Sequence, residues 1–174
     1  HNTYVNAYAG RGELYMKNGE YEKAVEDFKK ALLYPRNLGV GKPFRVNLAR
    51  LYFKLGSAYE KLDITTAREY WRKAMEERYP VVSENYYYKG MCLKKLGKEN
   101  EAQKLFNELI KTGKEMILKN KTEAMGYYLL ALGYKGKGDE ENAKLMLDKA
   151  FLLNENITRL ARKIAEIVVY PLDE

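Results

Sequence analysis

Histidine and serine, the residues from which most nucleophile–base pairs are built, are nearly missing from this sequence. The only histidine is His1, and the only serines are Ser57 and Ser83. Nucleophilic catalysis of the Ser–His or Cys–His kind therefore has nothing to work with. Cysteine is equally scarce. Cys92 stands alone, so no internal disulfide and no zinc-binding cysteine or histidine pair can form. The expectation is no enzyme activity, no metal and no cofactor. No apolar run reaches the roughly 18 residues that a membrane-crossing helix needs. Prolines occur only at 35, 43, 80 and 171, which leaves long stretches free to be helical. The chain starts His1-Asn2-Thr3, with neither an initiator methionine nor a signal-peptide pattern. It reads as a piece of a longer protein, expected in the cytoplasm.

What the sequence does have is charge and apolar residues in close mixture. Hydrophobic residues make up 46% and charged residues 32%, enough of the former to bury a core. The net charge is +7. Lys and Glu alternate along the chain, the pattern of a solvated helix surface rather than of a stripe that neutralises phosphates. Nucleic acid is disfavoured as a partner on that ground.

Self-similarity is the strongest signal. Four segments share one skeleton: Tyr8, Gly12 and Tyr15; Tyr52, Gly56 and Tyr59; Tyr86, Gly90 and Leu93; Tyr127, Ala131 and Tyr134. After a turn, each continues with a second set: Ala24, Phe28 and Ala31; Ala67, Trp71 and Ala74; Ala102, Phe106 and Leu109; Ala143, Leu147 and Ala150. The offsets of three and four place each set on one face of a helix. A glycine inside a helix costs about 1 kcal/mol against alanine, so repeating one at a fixed register needs a reason. Close approach of a paired helix supplies it, with Ala24, Ala67, Ala102 and Ala143 as the small residues opposite. Phe28, Trp71, Phe106 and Leu147 are placed to fill the gap to the next repeat. Gly19, Gly97 and Gly138 follow the first helix of their repeats, where a left-handed cap is wanted. The second repeat has Leu62-Asp63-Ile64-Thr65-Thr66 instead, and Asp63 or Thr65 is expected to cap a tighter corner.

This skeleton resembles the tetratricopeptide repeat over nearly the whole chain. The resemblance implies an all-α, right-handed α-α superhelix with about four helical hairpins and a capping helix. A single repeat domain over 1–174 is expected, with repeats near 5–38, 48–81, 83–119 and 124–154. The capping helix is placed near 156–169, on Ile157, Leu160, Ile164 and Ile167. The four alanines are 43, 35 and 41 residues apart, against about 34 for a plain repeat. The excess falls in a Gly/Pro loop at 35–43 and in 110–123, where the second helix of repeat three is expected to run long and break near Asn120-Lys121. The loop sequence NLGVGKPFR and the long third repeat also look like a region of certain large bacterial proteins. In those proteins a tetratricopeptide region follows β domains similar to sugar-acting enzymes.

The resemblance implies a scaffold that binds a protein or peptide partner, or neighbouring domains of the same parent chain. The alternative is a non-catalytic accessory region of a carbohydrate-active protein, and the third reading is single-stranded nucleic-acid binding. First helices line the concave side of this architecture. Their inward positions off the packing stripe include Arg50, Phe53, Tyr87, Met91, Lys94, Met125, Tyr128 and Leu132, an apolar and aromatic strip rimmed by cations. The family's chaperone-binding members hold a C-terminal carboxylate with Lys and Asn. The matching positions here are Ala9, Glu13, Glu84 and Tyr88, none of which fits, so no chaperone-tail binding is expected. Gly39-Val40-Gly41-Lys42 and Lys135-Gly136-Lys137-Gly138 lack the spacing of a phosphate loop and read as turns.

Overall fold

The computed structural model describes residues 2–33 and 48–154. The loop expected at 35–43 and the capping helix expected at 156–169 lie outside them. Among the described residues there are eight α-helices and no strand. They are α1 (Asn2–Lys17), α2 (Tyr21–Leu32), α3 (Leu48–Tyr59), α4 (Ile64–Glu76), α5 (Glu84–Lys95), α6 (Glu99–Lys119), α7 (Ala124–Lys137) and α8 (Glu140–Leu153). Each odd-numbered helix is joined to the next even-numbered one by a tight corner. The described residues group into two compact units, one of 2–33, 48–80 and 91–98, the other of 81–90 and 99–154. Helix α5 is shared between them, its last residues belonging to the first unit.

Local sequence sets the corners. Gly19, Gly97 and Gly138 have φ of +76°, +76° and +82°, the left-handed region that only glycine enters without strain. The residue after each glycine donates its amide back five residues: Glu20 to Tyr15, Lys98 to Leu93, Asp139 to Tyr134. This bond satisfies a carbonyl at the helix end. The corner between α3 and α4 has no glycine. There Asp63 caps α4 by accepting from the Thr65 and Thr66 amides, at 3.0 and 3.3 Å. Asp139 does the same for α8, accepting from the Asn142 amide at 3.1 Å.

In the first unit, Phe28 of α2 is fully buried with Ala24, Val25, Leu55 and Ala58. A second cluster joins Ala9, Ala31 and Leu51. The repeated glycines admit a ring from the paired helix. A Cβ on Gly12 would stand 2.7 Å from the Phe28 ring, and one on Gly56 would stand 2.3 Å from the Trp71 indole nitrogen. Each ring thus presses on the glycine of its own repeat, a contact the sequence reading did not assign. Phe28 also reaches Leu55 and Ala58 of the next hairpin.

In the second unit, Phe106 meets two glycines. A Cβ on Gly90 would lie 2.3 Å from its ring, and one on Gly136 would lie 2.2 Å from it. Helix α7 therefore continues through Gly136, and Lys135-Gly136-Lys137 is helix, with the turn delayed to Gly138. Helix α6 runs 21 residues and ends at Lys119, before Asn120. Its extra turns pack on α7 through more glycine: a Cβ on Gly113 would stand 2.6 Å from the Gly126 carbonyl oxygen. The two backbones touch there because neither residue carries a side chain.

Candidate functional site

In the first unit the inner register of α1 and α3 carries a compact ion cluster. The Glu13 carboxylate accepts from Arg50 Nη2 at 2.7 Å and lies 3.3 Å from Lys54 Nζ. Glu13 is buried, and Arg50 and Lys54 expose little side chain. Removal from water strengthens the attraction between these charges. One helical turn along α3, Ser57 Oγ donates to the Phe53 carbonyl at 2.9 Å, spending its hydroxyl on its own helix. Phe53 and Met91 are half-buried and Lys94 is exposed. Lys95 donates to both Glu60 oxygens, at 2.9 and 2.7 Å, and its ammonium lies 5.8 Å from the Trp71 ring centroid.

Several polar contacts in this unit link residues far apart in sequence. The Arg11 guanidinium grips Asp27 through Nε and Nη2, at 2.5 and 2.8 Å. Asp27 is buried, and this two-pronged pairing is what makes a carboxylate tolerable there. The Tyr79 hydroxyl accepts from the Ala49 amide at 2.9 Å, satisfying a donor in the first turn of α3. Burial pushes this phenol up to about 12, against a smaller downward pull from the Ala49 amide. Tyr52, Tyr70 and Tyr59 form a stack, with Tyr59 and Tyr70 centroids 5.5 Å apart at 12°. Lys29 lies over Tyr59 and Lys73 over Tyr70.

In the second unit the expected open strip is closed. Tyr87, Tyr128 and Leu132 are only 2%, 1% and 1% exposed. Their burial corrects the reading of these three as surface for a partner. The physical reason is plain on α7, where every residue from Tyr128 to Gly133 is buried, so this stretch is apolar and covered on all sides. Tyr128 also donates its hydroxyl to Glu84 at 3.0 Å, and Glu84 lies at the start of α5. Tyr87 packs edge-on against Tyr88 and tilted against Phe106, and burial raises its phenol pKa. Of the strip residues in this unit, Met125 keeps an exposed side chain, at 37%.

The small positions of the repeat skeleton are buried throughout: Ala24, Ala67, Ala102, Ala131 and Ala143 as well as Gly12, Gly56 and Gly90. Cys92 is a buried thiol outside any disulfide. Among the described residues no group of three or more His, Cys, Asp or Glu side chains is placed to hold a metal ion. No helix among them is long and apolar enough to cross a membrane.

Tetratricopeptide repeat families match the chain at residues 5–33, 50–80, 84–112 and 117–157. No curated protein matches it. Among solved structures, that of MamA is 22% identical, covering 89% of this chain and 81% of its own, with a TM-score of 0.36. That of YrrB, described as a TPR protein with an unusual peptide-binding site, is 26% identical. It covers 93% of this chain and 76% of its own, with a TM-score of 0.34.

Proposed function

Because the chain belongs to the tetratricopeptide repeat family, we propose that it is a non-catalytic scaffold whose first-helix face binds an extended or helical segment of a protein. The contact residues in this reading are Phe53, Met91 and Lys94 of the first unit. The supporting observation is that these inner-register side chains keep accessible surface, whereas Tyr87, Tyr128 and Leu132 are spent on packing. Phe53 on α3 offers an aromatic side chain and α5 a thioether, with the Lys94 cation one helical turn from Met91, residue types that suit a partner with an apolar anchor. Arg50 shapes the face while pairing with Glu13.

The same face is a poor receptor for a chain-terminal carboxylate. Glu13 already faces the cations Arg50 and Lys54. Ala9 and Tyr88 are buried, and Glu84 accepts from Tyr128.

Photo-crosslinking tests the proposal. A photoreactive residue at position 53 or 91 should trap one protein partner, identified by mass spectrometry. With that partner purified, Phe53→Ala should weaken binding at least about tenfold, or 1.4 kcal/mol, while the variant keeps the helical circular-dichroism spectrum of the wild type. Equal affinity for wild type, Phe53→Ala and Met91→Ala overturns the assignment. Crosslinks confined to a longer version of the same chain would instead mark the face as an interdomain brace. A steep loss of affinity with salt would point to phosphate contacts and a nucleic acid.

A further inference from the structure

We draw no further inference here: the strongest candidate, the exposed apolar side chains of Leu145, Leu152 and Leu153 along α8, carries nothing because nothing in the structure shows what covers them.

Discussion

Gly10 and Gly12 stand two residues apart in α1 and meet opposite surroundings. A Cβ at Gly10 would find nothing within 4 Å, while one at Gly12 would strike the Phe28 ring. Gly10→Ala should therefore stabilise the fold by about 0.4–1 kcal/mol, through the lower entropy of the unfolded chain. Gly12→Ala gains the same helix propensity but overpacks a buried ring, which costs about 1–3 kcal/mol. Phe28 is fully buried in one cluster with Val25 and Leu55, so a shift of the ring disturbs its neighbours. Urea denaturation of the two variants should give midpoints on opposite sides of wild type. The sequence distinguished these glycines only in part. Gly12 recurs at one register in three repeats, but the ring it serves becomes visible only when the hairpin closes. Tyr79 had no such signal, because its acceptor role depends on a partner 30 residues away. Tyr79→Phe should cost about 0.5–1.5 kcal/mol, the net worth of one hydrogen bond. It should also change the alkaline limb of stability. The folded phenol ionises near 12 and the unfolded one near 10. Stability is thus intact below pH 10 and falls as pH rises towards 12, where the unfolded chain loses its proton first. Thermal melts across that window should show a shallower decline in Tyr79→Phe.

Helices end in this chain for local reasons, and those reasons were readable. Gly19 and Gly97 sit two residues past their helices and Gly138 one past its own, and Asp63 replaces the glycine device at the hairpin corner that lacks it. Gly97 has φ +76° and open space around its missing Cβ. Gly97→Ala should then cost about 1–2 kcal/mol, the left-handed penalty of an L residue. The loss should come without the rearrangement of core rings expected of Gly12→Ala. Urea unfolding measures the first, and near-ultraviolet circular dichroism, unchanged in Gly97→Ala, checks the second. The pairing of α6 with α7 was less legible. Its glycines at 113, 126 and 133 break the repeat spacing, since α6 extends well beyond an ordinary second helix. Their small size is explained by the facing helix, backbone and side chain together: a Cβ on Gly133 would sit 2.5 Å from the Ile110 side chain and 2.9 Å from the Phe106 carbonyl oxygen. Sequence periodicity shows that a helix has an apolar stripe. It does not show when a second stripe is covered as well, which is why Tyr128 and Leu132 were expected on an open face.

Across the whole molecule, one thiol can report on opening. Cys92 is fully buried and the chain has no other cysteine. Its reaction with an aromatic disulfide reagent should be slow under native conditions and fast in denaturant. The rate should rise in variants that weaken the core, such as Gly12→Ala, in proportion to the population of open states. Equal rates in folded and unfolded protein would contradict the burial described for α5. The all-α class and the hairpin order were carried by residues that recur at fixed offsets. The candidate binding face was legible only as a set of positions. Which of them remain accessible depends on packing and on contacts made between side chains far apart in sequence, such as Tyr128 with Glu84, 44 residues away.

Trp71 and Phe106 hold the same place in successive repeats, yet their later neighbours differ. Lys95 lies over the indole, whereas Gly136, at the same register one repeat on, lies against the Phe106 ring. The modules of this array are consequently not interchangeable. Shuffling α7 into the place of α5 would strip the indole of its ammonium, and the reverse exchange would drive a lysine stem into a filled pocket. A single hairpin copied without its following neighbour would leave its ring without the contact it makes here.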